Sequence, residues 1–280
     1  MRTRPVAVAA FGAAFVGAAV VANRLAGKPV PFLRWSVLRF LLSGRRLLRE
    51  GRVGDGREEA LARHVLATVP AGDVDATIAA IDDFARHTSF LMNVGDEKGV
   101  ILEDAVRRAR PKVLLELGAY CGYSALRAVR AAPPDARLYS VEISPANADV
   151  ARRVWAHAGM ADRITAVVGS IDDGGRTLDA LGFGSGTVDF VFLDHLKSAY
   201  LPDLRSILGA GWLHPGSVVV ADNVRIPGAP DYLAYMRGHE GTLWRTTEHH
   251  AHVEYQRLLP DLVLESSCLG GHPTPPAGAG

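Results

Sequence analysis

The sequence contains very few cysteines. Its 280 residues include two, Cys121 and Cys268, which cannot form a disulfide framework. Nothing in the sequence therefore requires an oxidising compartment. Hydrophobic residues make up 48% of the chain and charged residues 22%, which is typical of a globular protein. The length allows one substantial domain and a shorter additional segment.

The chain also has almost no net charge, but its formal +1 is unevenly distributed. Residues 1–50 contain nine lysine and arginine residues and one acid, which leaves 22 basic and 29 acidic residues in 51–280. The larger part therefore carries a formal charge of −7, which suits polyanionic nucleic acid poorly. We expect no nucleic-acid partner.

One apolar stretch, residues 6–22, lacks charge altogether. As a helix of seventeen residues it would span roughly 26 Å, against about 30 Å for the core of a bilayer. Two basic residues precede it and seven follow within residues 24–49. The positive-inside rule therefore favours an uncleaved single-pass anchor, with the rest of the chain in the cytoplasm. A cleaved signal peptide and a helix on the membrane surface are the alternatives.

These features divide the chain into three parts. We predict a membrane anchor and basic juxtamembrane segment over residues 1–50, a folded domain over 51–268, and a disordered Gly/Pro/Ala-rich tail over 269–280. Residues 33–49 mix apolar and basic side chains at near-helical spacing. They would form either an interfacial helix with arginines at lipid headgroups, or a helix that packs its apolar stripe on the folded domain.

The folded part alternates helices and strands. Strands are predicted at residues 113–117, 138–143, 164–168, 188–193 and 217–221, and a closing antiparallel pair at 252–259 and 262–268. Helices are predicted at residues 57–86, as a pair joined by a turn, and at 98–109, 124–131, 145–158, 201–208 and after 230. Continuous Val, Leu and Ile runs between helices indicate a doubly wound, mostly parallel sheet of the α/β class.

A glycine-containing turn follows the first strand, in the sequence ELGAYCGYS. Gly118 and Gly122 allow the backbone to turn tightly and approach a ligand, but their spacing is not the G-x-G-x-x-G that binds a pyrophosphate. Glu116, before the turn, suits a cationic or hydroxyl-bearing ligand. Glu142 ends the second strand, where nucleoside-binding folds of this class place a carboxylate on ribose hydroxyls. Without Glu142, a simple strand–helix turn would explain the glycines equally well.

Two further strand ends carry polar side chains. Asp194 follows the fourth strand, and Asp222 and Asn223 follow the fifth. Two carboxylates and an amide oxygen form a hard ligand set suited to octahedral Mg²⁺, with open positions for a chelating substrate. Lys197, three residues after Asp194, could act as a general base. Taken alone, Asp194 is better explained as a cap of the next helix.

Two other groups of reactive side chains receive no functional prediction. The histidines at 249, 250 and 252 do not have the spacing of a tetrahedral zinc site, and we expect a solvated loop there. Cys121 lies in the glycine turn, where a small packed side chain is a better explanation than a nucleophile.

Four motifs together resemble the catechol O-methyltransferase family, in its membrane-anchored form: MNVGDEKG, ELGAYCGYS, VFLDHLKSAYLPD and ADNVRIPGAPD. The resemblance covers roughly residues 71–256. It implies a seven-stranded S-adenosylmethionine-dependent methyltransferase fold with one reversed strand. It also implies Mg²⁺-dependent transfer of a methyl group to a hydroxyl of a catechol-type substrate, by a catalytic domain that we expect to be monomeric.

The resemblance also implies a role for individual residues. The magnesium ligands would be Asp194, Asp222 and Asn223. Lys197 would take the proton from the methylated hydroxyl, and Glu254 would hold the second hydroxyl. The cofactor site would be lined by Met92, Val94, Glu116, Gly118, Tyr120, Ser124, Glu142, Ile143, Ile171, Asp172, Asp194 and His195. The substrate would contact Phe90, Leu196, Lys197, Asn223, Pro227 and Glu254.

Four positions depart from the family pattern. Phe90 and Leu196 stand where the family has tryptophans that wall the catechol ring, although Pro227, the third wall, is retained. Ile171 and Asp172 replace a Ser-Gln pair that faces adenine, but a backbone N–H and a carboxylate can still serve there. We therefore expect cofactor binding to be intact. A different vicinal-diol phenol, caffeoyl- or flavonoid-like, and a membrane-tethered inactive binding protein are the alternatives.

Overall fold

The computed structural model describes residues 35–43, 52–173, 175–256 and 258–270. The helices in these ranges are α1 (Trp35–Leu42), α2 (Arg57–Thr68), α3 (Val74–Asp83), α4 (Gly95–Ala109), α5 (Tyr123–Ala131), α6 (Pro145–His157), α7 (Arg176–Leu181), α8 (Tyr200–Gly209) and α9 (Pro230–Gly238). The strands are β1 (Val113–Leu117), β2 (Arg137–Glu142), β3 (Ile164–Val168), β4 (Val188–Leu193), β5 (Leu213–Ala221), β6 (Trp244–His252) and β7 (Pro260–Cys268).

The strands form one seven-stranded sheet in the order β3-β2-β1-β4-β5-β7-β6. Strands β1 to β5 pair in parallel, whereas β7 is antiparallel to both of its neighbours. The register aligns Leu117 with Leu193 and Leu193 with Ala221, so β1, β4 and β5 end at one edge of the sheet. The doubly wound sheet with one reversed strand is therefore confirmed.

Helices cover both faces of the sheet because its central strands are apolar on both sides. Successive strand residues point to opposite faces. Leu114 and Phe190 accordingly pack in one hydrophobic core, and their neighbours Leu115 and Val191 pack in the other. These two cores fix the positions of the strand ends, where the candidate site lies.

The antiparallel pair at the end of the sheet differs from the prediction. Strand β6 covers Trp244–His252, whereas residues 253–256 and 258–259 belong to the turn toward β7, with the Val253 N–H donating to the Leu259 carbonyl at 3.0 Å. The predicted strand at 252–259 is wrong because β6 is an edge strand with polar residues on both faces, which hides its alternation. Helix α7 was also not predicted.

The prediction of a solvated loop around the three histidines is also wrong, because these residues belong to the edge strand β6. His249 lies on β6, and its Nε2 contacts Glu265 Oε2 on β7 at 2.8 Å. His252 ends the strand, and its Nδ1 lies 3.1 Å from Glu97 Oε2. Within the described ranges, no group of three or more His, Cys, Asp or Glu side chains has a metal-binding arrangement.

Helix α1 packs on the folded domain, as one of the two interpretations of residues 33–49 proposed. The Arg57 guanidinium, which is buried, donates to the Ser36 carbonyl at 2.9 Å and to the Phe90 carbonyl at 2.6 Å. Ser36 Oγ accepts from the Phe90 N–H at 3.1 Å. The Phe40 ring contacts the Phe90 ring, with centroids 5.1 Å apart. The N-terminal helix is therefore held against Phe90 by polar and aromatic contacts.

The predicted membrane anchor at residues 6–22 lies outside the described residues, as does the tail from 271 onward. Among the helices that the structure does describe, none combines the length and the apolar character needed to cross a bilayer.

Candidate active site

The polar strand ends of the central sheet converge. Gly118 follows β1, and its N–H donates to the Val141 carbonyl of β2 at 2.9 Å. Asp194 follows β4 and donates from its N–H to the Leu117 carbonyl at 3.0 Å. Asp222 follows β5 in the same way, with its N–H 3.0 Å from the Leu193 carbonyl. The parallel pairing therefore places all three residues side by side.

The first of these strand ends requires glycine. Gly118 has a φ of 101°, and a Cβ at this position would lie 2.5 Å from the Asp194 carbonyl oxygen. Such an approach is far closer than any side chain allows. The absence of a side chain thus lets the β1 turn and the β4 end come together, and the tight turn predicted at Gly118 is present.

Glu142 stabilises this turn from the neighbouring strand. Its Oε2 accepts from the Tyr120 N–H at 2.8 Å and its Oε1 from the Ser144 N–H at 2.9 Å. Burial raises the pKa of Glu142 above its ordinary value, and these hydrogen bonds oppose the shift. The carboxylate lies at the predicted ribose position. Its contact with a ribose stays a prediction.

Glu116 is buried beneath the turn. Its carboxylate accepts hydrogen bonds from Ser124 Oγ at 2.6 Å and from Ser140 Oγ. Burial raises its pKa to about 7, and the two hydroxyl donors only partly oppose that shift. A buried acid that is half ionised near neutral pH is suited to bind a cationic group.

The remaining predicted cofactor residues lie around this edge. The His195 ring stacks on Tyr200, with centroids 5.0 Å apart, and its Nε2 contacts Asp203 Oδ2 at 2.8 Å. His195 Nδ1 is buried without a hydrogen-bond partner. Ile143, directly after β2, is 62% exposed, and the other positions are Met92 (half-buried), Val94 (buried), Ile171 (buried) and Asp172 (exposed).

The predicted metal ligands share a buried acidic centre. Asp222 Oδ1 accepts from the Asn223 N–H at 2.7 Å, while its Oδ2 is buried without a partner. Burial raises the pKa of Asp222 to about 7, and the neighbouring charge of Asp194 acts in the same direction. These carboxylates and the Asn223 amide fit Mg²⁺, because a divalent cation would satisfy the unpartnered oxygen and offset the desolvation.

Lys197 lies beside this centre. Its Nζ donates to Asp194 Oδ1 at 3.0 Å and to the Tyr200 hydroxyl at 2.6 Å. The Tyr200 hydroxyl in turn lies within hydrogen-bond distance of the Leu193 and Asp222 carbonyls, at 2.7 and 3.0 Å. The ammonium group of Lys197 is therefore fixed next to one predicted metal ligand.

Two residues of the centre were missed in the sequence. The buried Lys98 Nζ lies 2.9 Å from Asp222 Oδ1, 2.7 Å from Glu254 Oε1 and 3.1 Å from Asp261 Oδ2. Asn223 Nδ2 also contacts Glu254 and Asp261, at 3.0 and 2.7 Å. The MNVGDEKG motif was the available signal for Lys98. Asp261, on β7, had none.

A cavity of about 580 Å³ opens beside this network. Its lining includes Val94, Gly95, Lys98 and Glu254, so two members of the acidic centre border open space. Of the predicted wall residues, Leu196 is 54% exposed, and Phe90 is half-buried against Phe40. Pro227 borders a second cavity, of about 520 Å³.

Known proteins share both the sequence and the fold. Residues 77–229 match the O-methyltransferase family. A probable O-methyltransferase of Mycobacterium tuberculosis is 63% identical over 229 residues, which cover 81% of this chain and 98% of that protein. The chain belongs to the O-methyltransferase family.

Catechol O-methyltransferases are among the relatives. Catechol O-methyltransferase B of Danio rerio is 44% identical over 214 residues, covering 76% of this chain and 80% of that protein. The O-methyltransferase TomG of Streptomyces achromogenes, solved in complex with SAM, has a TM-score of 0.59 at 24% identity and covers 73% of this chain and 94% of its own. That structure supports the fold. Family membership and the methyltransferase fold support S-adenosylmethionine as the methyl donor.

The buried Glu116 generates a pH-dependent prediction. If its carboxylate binds the donor's ammonium group, a proton on Glu116 must leave before binding. Because the pKa is raised to about 7, S-adenosylmethionine should bind about tenfold more weakly at pH 6 than at pH 8. Calorimetry in buffers of different ionisation enthalpy should show proton release on binding below pH 7.

The matched variants are Glu116→Gln and Glu97→Gln. Glu116→Gln should remove the pH dependence together with most of the affinity, whereas Glu97→Gln, which changes an exposed residue, should behave as the wild type. Wild-type affinity that does not change with pH would contradict a role for Glu116 in binding the ammonium group.

Proposed function

We propose that this O-methyltransferase transfers a methyl group from S-adenosylmethionine to one hydroxyl of a catechol-type substrate, with Mg²⁺ as cofactor. The observation that carries the proposal is the carboxylate pair of the half-buried Asp194 and the buried Asp222, with the unpartnered Asp222 Oδ2 and the ammonium group of Lys197 beside it. Asp194, Asp222 and Asn223 would hold Mg²⁺, and the chemistry that it would supply there is Lewis-acid stabilisation of the ionised hydroxyl.

Lys197 is the proposed base. Its neutral amine would take the proton from the reacting hydroxyl, whose oxygen then forms a bond to the methyl carbon as the carbon–sulfur bond breaks. The electron pair of that bond remains on sulfur, which leaves S-adenosylhomocysteine. Asp194 and Tyr200 hold the Nζ at 3.0 and 2.6 Å and thereby fix its position for this transfer.

Glu254 is proposed to hold the second hydroxyl. It borders the 580 Å³ cavity, and neither of its contacts to Lys98 and Asn223 involves Oε2. With one hydroxyl at Lys197 and the other at Glu254, the diol is held for in-line displacement. Positioning of this kind accounts for much of the rate in such reactions.

A second candidate is a bulkier vicinal-diol phenol, caffeoyl- or flavonoid-like. Leu196 is half exposed and Phe90 is smaller than the tryptophan expected from the resemblance, so both wall positions leave additional room. The metal, the base and the second acidic group would serve this substrate equally well.

We also propose that residues 1–50 anchor the catalytic domain at the cytoplasmic side of a membrane. Seven basic residues follow the apolar stretch, as the positive-inside rule requires. S-adenosylmethionine is made in the cytoplasm, so this orientation places the domain with its methyl donor.

The first test of the proposal is a methylation assay with and without magnesium. Small catechols should be methylated in the presence of Mg²⁺, and a chelator should abolish the activity until Mg²⁺ is restored. Asp222→Asn should abolish transfer but still bind S-adenosylmethionine, because the glycine turn lies between β1 and α5, away from Asp222. The control, Asp231→Asn, changes an exposed acid and should remain active.

The outcomes of this assay separate the candidates. Turnover of caffeoyl- or flavonoid-like diols alone would favour the second candidate. Binding of both S-adenosylmethionine and Mg²⁺ without turnover of any diol would indicate an inactive binding protein. Full activity in the chelator would exclude the magnesium mechanism.

The second test concerns the base. Lys197→Ala should lower kcat about 10²-fold, the scale expected for a positioned general base. Lys197→Arg should not restore it, because a guanidinium group stays protonated at working pH. Steady-state kinetics with saturating Mg²⁺ provide the measurement, and donor binding serves as the control for folding. Wild-type turnover by Lys197→Ala would contradict the assignment.

The third test concerns the wall at position 196. Leu196→Trp should tighten binding of small catechols, because an aromatic contact with the ring contributes about 0.5–1.5 kcal/mol, at most roughly tenfold in KM. It should also favour one of the two monomethyl products, because the ring can no longer pivot about its chelated oxygens. KM and the product ratio are measured together. If neither changes, residue 196 does not line the substrate pocket.

A further inference from the structure

The buried ammonium group of Lys98 connects three carboxylates from distant parts of the chain. Lys98 lies in the first turn of α4, and its side chain is 1% exposed. Asp222 follows β5, Glu254 lies in the turn between β6 and β7, and Asp261 lies on β7. All three carboxylates are within 3.1 Å of Lys98 Nζ. This nitrogen is therefore a common contact of three chain segments that enclose the site.

Asp222 and Glu254, the two carboxylates with a proposed function, each contact Lys98 Nζ through one oxygen. Asp222 Oδ1 accepts from Lys98 Nζ and from the Asn223 N–H, whereas Oδ2 is buried without a partner. Glu254 Oε1 accepts from Lys98 Nζ and from Asn223 Nδ2, and neither contact involves Oε2. In both residues, one oxygen is fixed by the protein and the other remains for a ligand.

Asp261, by contrast, uses both of its oxygens within the protein. Its Oδ2 accepts from Lys98 Nζ at 3.1 Å and from Asn223 Nδ2 at 2.7 Å. Its Oδ1 accepts from the Ile226 N–H at 3.0 Å, in the segment that precedes Pro227. Asp261 is fully buried and has no free oxygen for a ligand of its own, so it holds other groups in place.

We infer that Lys98 and Asp261 are a pair of positioning residues for the diol site. The inference rests on the proposed function. Lys98 joins the metal ligand Asp222 to the hydroxyl acceptor Glu254, while Asp261 fixes Lys98 and Asn223. With contacts of 2.9 and 2.7 Å to one nitrogen, Asp222 Oδ1 and Glu254 Oε1 are at most 5.6 Å apart, the sum of the two distances. This connection sets the spacing between the metal and the second hydroxyl.

A purely structural ion pair would predict different behaviour. Breaking a buried pair lowers stability because it leaves an uncompensated charge. Loss of stability alone therefore does not identify a positioning role. The ratio of the two monomethyl products does, because it reports how firmly Glu254 holds the second hydroxyl. Affinity for Mg²⁺ is a second readout, which requires no turnover.

The test compares Lys98→Met with Lys112→Met in the full chain. Lys112 is exposed and directly precedes β1, so its variant controls for loss of a lysine. Lys98→Met should bind S-adenosylmethionine as the wild type does, but bind Mg²⁺ about tenfold more weakly in calorimetry, the usual scale for removing a partner of a metal ligand. With 3,4-dihydroxybenzoate, kcat should fall about tenfold or more and the product ratio should move toward equality.

Asp261→Asn is the second variant, and it keeps the test decisive if Lys98→Met does not fold. It should change the Mg²⁺ affinity and the product ratio in the same direction as Lys98→Met. The double variant should show little further loss, because both residues act through one connection. Independent, additive losses would contradict the pairing.

The outcomes also separate this inference from the proposed function. A wild-type protein that methylates no diol would reject the proposed function itself. An active wild type whose variants lose only thermal stability, with unchanged Mg²⁺ affinity and product ratio, would show that Lys98 is a structural ion-pair partner and overturn the inference.

Discussion

Burial of several carboxylates at one edge of the sheet is the constraint on which the rest of the structure depends. Asp194, Asp222, Glu254 and Asp261 share contacts with two ammonium groups, those of Lys98 and Lys197. Four formal negative charges against two positive charges leave this group at −2 when all are ionised. A low-dielectric interior tolerates such an excess poorly. The excess can be relieved by a proton, as the raised pKa of Asp222 indicates, or by a bound cation such as the Mg²⁺ proposed above.

The fold brings these charges together from both ends of the domain. Lys98 and Asp261 are 163 residues apart in sequence, yet their side chains meet in the interior. The parallel strands β4 and β5 supply Asp194 and Asp222, and the reversed strand β7 supplies Asp261 from the opposite direction. The antiparallel strand β7 therefore adds Asp261 to a group of carboxylates that otherwise follow the parallel strands.

Much of this arrangement could be predicted from the sequence. Strands β1 and β4 and the second half of β5 are largely apolar runs, so their ends, and hence Asp194 and Asp222, could be located from composition and period alone. The edge strand β6 could not be located in this way, because it has polar residues on both faces and its sequence does not alternate between apolar and polar residues. Lys98 was missed because a lysine in the first turn of a helix is usually solvated. Only the three-dimensional arrangement brings carboxylates to it from residues 124 or more positions away.

The contacts of α1 with Phe90 and Arg57 make this helix part of the folded domain. The Phe40 ring packs against the Phe90 ring, and the Phe90 backbone is hydrogen-bonded to Ser36 and Arg57. A recombinant fragment starting at Gly51 would retain every proposed ligand of the metal and the diol. It would nevertheless lack the Phe40 ring that packs against Phe90 and the Ser36 hydroxyl that accepts from its N–H. Helix α1 is therefore part of the support of Phe90, which lies 54 positions after Ser36 in the sequence.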